Sequence, residues 1–149
     1  MSRRFWLASA CCLGLATAAG CSKKDDTGTA TTGSTATATQ PVSVTGIQLG
    51  RAVGTDMRVT DETDDFKTND AIYASVATNG TAPNATLTAR WTYQDGQVVD
   101  STSRSIAPNG PAYTEFHITK PGGWPKGDYK VEVLLNGAVA QSKDFKVGD

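Results

Sequence analysis

Cysteine is missing from most of this chain. The three that occur, Cys11, Cys12 and Cys21, lie in the first 21 residues, so the remainder can form neither a disulfide framework nor a Cys-based metal site. Histidine occurs once, at His117. It sits beside Glu115, on the strand face opposite Phe116 and Ile118, and reads as a solvated strand histidine rather than a ligand or base. A serine nucleophile elbow, a phosphate-cradling glycine loop and His/Cys metal spacing are also absent. Together these absences argue against an enzyme. Positive charge is not in surplus either: 14 Lys+Arg face 15 Asp+Glu, and without Arg3 and Arg4 the balance is 12 against 15. A mildly acidic chain with scattered lysines offers nucleic acid no electrostatic footprint.

What is present begins with a leader. Ser2-Arg3-Arg4 is a short positive segment, and residues 5–20 are apolar and rich in small side chains. That run is too short and too Ala/Gly-rich for a strong spanning helix and reads as a secretory signal. It ends in Thr17-Ala18-Ala19-Gly20-Cys21. This end resembles the bacterial lipobox, in which small residues at the two positions before a cysteine permit cleavage and leave that cysteine as a lipidated N-terminus. Ala19 and Gly20 match; Ala18 stands where the family usually has Leu. The resemblance implies that residues 1–20 are a lipoprotein signal peptide and that acyl chains on Cys21 hold the protein on a lipid bilayer. At about 0.8 kcal/mol per buried methylene, two or three chains make that attachment essentially permanent. Ser22 after the cysteine resembles the enterobacterial signal for outer-membrane sorting, which implies a location facing the periplasm or the surface. The alternative is an ordinary signal peptide with Cys21 left as a free thiol.

Residues 22–40 are almost wholly Ser, Thr, Ala, Gly, Lys and Asp. Without large apolar side chains the segment cannot offset the entropy of ordering, so residues 21–41 are expected to be the lipidated cysteine and a disordered linker. A coil of this length spans about 25 Å, enough to lift a domain clear of the headgroups. Asp25-Asp26 cancels most of the attraction that Lys23-Lys24 would have for anionic lipid, and Pro41 marks the boundary. The remainder, residues 42–149, is about 108 residues long, near the modal domain size.

This region alternates in twos. Tyr129, Val131, Val133 and Leu135 face one way and Asp128, Lys130 and Glu132 the other, the pattern of a half-buried strand. Asn136-Gly137 supplies the positive φ angles of a two-residue primed turn. Similar patterns predict strands over residues 42–53, 71–78, 86–93, 98–105, 113–119 and 138–147. Asp95-Gly96 joins the third to the fourth, and a bulge near Ser142 reconciles Val139 with Phe145. Gly46, Gly50 and exposed Arg51 suit an edge for the first strand, and Phe66 is expected to plug the end of the core. Seven strands at 8 to 12 residue spacing, with no helical period, predict an all-β two-sheet sandwich.

Trp91 lies at the centre of the third strand, and Gly127-Asp128-Tyr129 opens the sixth. In these residues the region resembles bacterial immunoglobulin-like or fibronectin-III-like domains, whose corner tyrosine bonds back to the preceding turn. The resemblance implies a single seven-stranded immunoglobulin-like sandwich and a binding or scaffolding role, with no cofactor and no fixed ligand. The disulfide of antibody domains is absent.

Three groups remain as site candidates. Asp61, Glu62, Asp64 and Asp65 supply hard oxygen donors for a calcium ion, but the spacing lacks the glycine turn and distal Glu of an EF-hand loop, and a solvated loop is the simpler reading. Trp124, between Gly123 and Pro125, is either an exposed aromatic anchor for a glycan or peptide or a cap on the open end of the sandwich beneath Tyr129; the second is favoured. Tyr73 and Tyr113, on the polar faces of their strands, are the remaining contact residues. The expected function is a lipid-anchored envelope lipoprotein whose module binds an envelope protein or a glycan. The alternatives are a calcium-dependent or hydrolytic envelope enzyme built on residues 61–65, and an accessory subunit of an envelope secretion or assembly machine.

Overall fold

A computed structural model of the chain describes residues 40–149. The leader, Cys21 and nearly all of the tether lie outside them. The described region is all-β, with eight strands: β1 (Ser43–Gly50), β2 (Asp65–Lys67), β3 (Ile72–Asn79), β4 (Ala85–Tyr93), β5 (Gln97–Ile106), β6 (Ala112–Ile118), β7 (Gly127–Leu135) and β8 (Ala138–Gly148). They form a three-stranded sheet, β1-β3-β6, facing a five-stranded sheet, β2-β8-β7-β4-β5. Pairing is antiparallel throughout except for β2, which runs parallel to the end of β8 with Phe66 opposite Val147.

The alternation decides which residues are inside. Leu49, Ile72, Ala74, Val76, Phe116 and Ile118 line the inner face of the small sheet, and Leu87, Ala89, Trp91, Tyr129, Val131, Val133, Phe145 and Val147 line that of the large one. Trp91 is wholly buried and meets Phe145 edge-on, with ring centroids 5.9 Å apart. Its indole Nε1 has no hydrogen-bond partner, so its packing must outweigh an unsatisfied donor.

The strand count is corrected from seven to eight. Phe66 is buried as expected, but its neighbours form a ladder with β8 instead of a loop. A three-residue strand carries too little periodicity to show in sequence; it exists because β8 offers an open edge there. The first strand stops at Gly50, short of residue 53, because the chain turns back over it. The extra residue in β8 is Ala140, since Val133 pairs with Gln141 and Leu134 with Val139, so the bulge lies two residues before Ser142. The β4–β5 connection has three residues, Gln94, Asp95 and Gly96, with Gln94 at φ 46° and Gly96 at φ 96°.

The β7–β8 turn is the expected two-residue one, with Asn136 at φ 52° and Gly137 at φ 86°. It is also anchored sideways: Thr86 N donates to Asn136 Oδ1 at 2.9 Å, and Asn136 N donates to Thr86 O at 2.8 Å. The hairpin corner therefore fixes β4 as well as its own two strands.

Candidate functional site

Two poles organise the domain. The chain enters at one of them: Thr81 N donates to Gln40 O at 2.8 Å, and Gly80, at φ 115°, lies so close to Pro41 that an added Cβ would sit 2.5 Å from its carbonyl oxygen. The opposite pole carries the crossover from β6 to β7 and most of the residues singled out in the sequence.

There Tyr129 is buried and its hydroxyl donates to Pro125 O at 2.8 Å. Trp124 is 7 % exposed. Its indole Nε1 donates to Asp70 O at 3.0 Å, its backbone N to Thr68 O at 2.7 Å, and its ring meets Tyr129 edge-on at 6.2 Å. This is the geometry of a cap, with the polar handle spent inside the fold. Tyr93 tilts against Tyr129 at 4.7 Å and donates its hydroxyl to Lys126 O at 3.0 Å. Gly127 lies beneath it at φ 148°, where an added Cβ would come within 2.9 Å of the Tyr93 ring. Burial, with Tyr93 nearby, pushes the Tyr129 phenol above its ordinary pKa of 10.0. Beside these rings, Val99, Pro121 and Pro125 complete a shallow cleft of 360 Å³, edged by Gln97, Asp100 and Lys120.

Asp70 joins this cap to the rest of the pole. Its Oδ2 accepts from Arg51 Nε and from Lys67 N, both at 2.9 Å. Burial of the carboxyl raises its pKa, but the Lys67 N–H and the Arg51 guanidinium together outweigh that and hold it below 3.8. Arg51 also donates through Nη2 to Asp65 O at 2.8 Å and lies 5.9 Å over the Phe66 ring. Arg51 is thus a clamp between β1, β2 and the segment before β3, not a free edge residue. Its alternation with Leu49 gave no sign of this, because all of its partners lie 10 to 19 positions further along the chain.

The acidic run does not converge. Asp61 Oδ2 lies 3.5 Å from Arg51 Nη1, and Asp64 Oδ1 lies 2.9 Å from Lys143 Nζ. Asp65 is in β2, and Glu62 forms an isolated bridge with Gly50. Asp61 and Asp64 are each taken up by a cation on a different element, Glu62 and Asp65 are exposed, and among the described residues no group of three or more His, Cys, Asp or Glu is placed to hold a metal ion.

Tyr73 and Tyr113 share the outer face of the small sheet but are not adjacent. Tyr73 is opposite His117 and stacks on it at 5.2 Å; Tyr113 is opposite Ala77, with Arg58 over its ring at 4.3 Å. Ser75 and Glu115 lie between them. Glu115 Oε1 is 2.6 Å from His117 Nδ1. Ser75 is 1 % exposed and its hydroxyl has no partner, so it is no accessible nucleophile for that pair. The segment 51–63 folds back over this face, and an added Cβ at Gly50 would collide with the Asp61 carbonyl and the Val59 side chain.

The domain aligns with solved structures over most of its length. The chain aligns with an immunoglobulin-like protein of Pseudomonas aeruginosa at TM-score 0.51 and 17 % identity, over 74 % of this chain and 99 % of that one. The fold is immunoglobulin-like. The C-terminal domain of Wzt agrees at TM-score 0.54 and 10 % identity, over 72 % of this chain and 74 % of that one. At TM-score 0.46 and 18 % identity, the chain also aligns with the alkylpurine DNA glycosylase AlkC of Pseudomonas fluorescens, covering 72 % of itself but only 30 % of that protein's length. No protein-family model and no curated protein matches the sequence. At these identities the immunoglobulin-like likeness fixes an architecture and no ligand.

Proposed function

We propose that this chain is an envelope lipoprotein, anchored through acylated Cys21, whose immunoglobulin-like domain binds or positions an envelope partner and performs no catalysis. The observation that carries the reading is the order of segments: a positive and apolar leader ending in Ala19-Gly20-Cys21, a polar run over residues 22–40, then a complete sandwich. Leader and linker have no use in a protein that stays in the cytoplasm; they make sense as an anchor and a spacer. The fold adds support, because the chain joins the domain at the Gly80 pole and leaves the pole of Trp124 and Tyr129 away from the point of attachment. On the domain itself, the sole histidine is paired with Glu115 and stacked on Tyr73, and Asp61 and Asp64 of the acidic run are taken up in ion pairs with Arg51 and Lys143.

The test is fractionation of cells expressing the full chain, with metabolic palmitate labelling. The parent protein is expected in the membrane fraction carrying label, and Cys21→Ser is expected in the soluble fraction without it. A parent chain that is soluble, with a free Cys21 thiol, would remove the anchor from this reading.

A further inference from the structure

β5 is the outermost strand of the large sheet and hydrogen-bonds on one side only, to β4. It is ten residues long and exposed from Gln97 to Ser105. Because the large sheet has five strands and the small one three, β5 overhangs the sandwich. Its core-facing positions, opposite Trp91, Ala89 and Leu87, are Asp100, Thr102 and Arg104. Two other edges are blunted, β1 by a bulge between Val44 and Gly46 and the end of β8 by β2, while the remaining edge, β6, is half-buried or buried at every position but His117. β5 has its own bulge at Val99, since Trp91 pairs with Asp100 and Thr92 with Val98, but keeps a regular ladder from Asp100 to Ile106, and among the described residues two of the four exposed large hydrophobic ones, Val98 and Val99, lie on it. A long, open edge with apolar exposure is a template for another strand.

The sequence of β5 specifies which strand. Antiparallel pairing of β5 with itself about a two-fold axis at Thr102 sets Ser101 opposite Ser103 and Asp100 opposite Arg104, and the symmetry makes that charge pair twice. We propose that the domain self-associates in this register, joining two five-stranded sheets into one continuous sheet across β5. Intramolecular contacts leave both charges available. Arg104 lies 3.6 Å from Glu115 and 5.6 Å over the Phe116 ring yet remains 48 % exposed, and Asp100 accepts a single bond, from Thr102 Oγ1 at 3.2 Å. Neither the register nor the pairing depends on the lipid anchor.

The experiment places a cysteine on the two-fold axis in the full chain that also carries Cys11→Ser, Cys12→Ser and Cys21→Ser. Opposed residues of an antiparallel pair lie about 5 Å apart, within disulfide reach. Thr102→Cys is therefore expected to form a disulfide-linked dimer on mild oxidation, whereas Ser105→Cys, three positions from the axis, is not. Asp100→Arg sets arginines against each other twice and Arg104→Asp does the same with aspartates; each is expected to weaken dimerisation in analytical ultracentrifugation by about tenfold or more. The Asp100→Arg/Arg104→Asp exchange is expected to restore both cross-linking and sedimentation. Thermal melts of every variant confirm folding, since the four positions are exposed. A folded parent that sediments as a monomer at all concentrations, cross-linking equal at positions 102 and 105, or an exchange variant no better than the singles overturns the proposal.

Discussion

The hydroxyl of Tyr129 donates to the carbonyl oxygen of Pro125, four residues earlier, at 2.8 Å. The bond ties the first inward residue of β7 to the crossover that brings the chain from one sheet to the other. Trp124, the preceding residue, is carried by that crossover onto the Tyr129 ring and into a hydrogen bond with Asp70. A sandwich with no disulfide closes its end with this chain of contacts.

Tyr129→Phe keeps the ring and deletes the bond. Urea denaturation is expected to show a loss of about 1 kcal/mol at neutral pH. The phenol also gives the parent an alkaline limit. Its folded pKa lies above the unfolded value of 10.0, so the native state retains a proton that the unfolded chain releases, and stability falls as pH rises past that value. The Phe variant should lose this part of the decline between pH 9 and 11, about where an ordinary tyrosine titrates.

Gly127→Ala forces two penalties at one position. A φ of 148° disfavours any Cβ, and that atom would press on the Tyr93 ring at 2.9 Å. A destabilisation of about 1 to 3 kcal/mol is expected, measured by chemical denaturation. At Gly96, also at positive φ but with no atom within 4 Å of an added Cβ, the same substitution should cost less.

Asp70 sets the acid limit. Its folded pKa is below 3.8, so the native carboxylate contributes stability above the unfolded value, and that contribution is lost as pH falls through the depressed one. Asp70→Asn should cost about 1.5 kcal/mol at pH 7 through the weakened bonds from Arg51 and Lys67. Its melting temperature should then depend less on pH than that of the parent below pH 4, where ordinary carboxylates titrate at about 4.

Calcium should leave the domain unchanged. Because Asp61 is drawn to Arg51 and Asp64 to Lys143, titration calorimetry with calcium chloride should give no saturable heat, and the melting temperature should not move. A rise of several degrees would return the acidic run to consideration as a site.

The period-2 alternation of β3, β4, β6 and β7, the Asn136-Gly137 turn and the Tyr129 corner were legible because each depends on side chains within a few positions of one another. Local signals of the same kind predict a leader over residues 1–20 and a linker poor in apolar residues after Cys21, almost all of which lies outside the described residues. The roles of Arg51, Gly50 and Asp70, the parallel pairing of β2 and the dispersal of the acidic run were not legible. These depend on segments 51–63 and 65–70 folding against strands far away in sequence, and no local pattern encodes such meetings. Similarly, β5 reads as an ordinary hairpin strand in sequence. Only the mismatch between a five-stranded and a three-stranded sheet leaves it overhanging the core, where Asp100 and Arg104 occupy positions that face inward yet meet solvent. The sequence by itself determined seven of the eight strands, their turns and most of the core, because those follow from alternation and backbone preference. The tertiary structure alone decided which charges are spent and which edge stays open, because both depend on what lies opposite after the chain has folded.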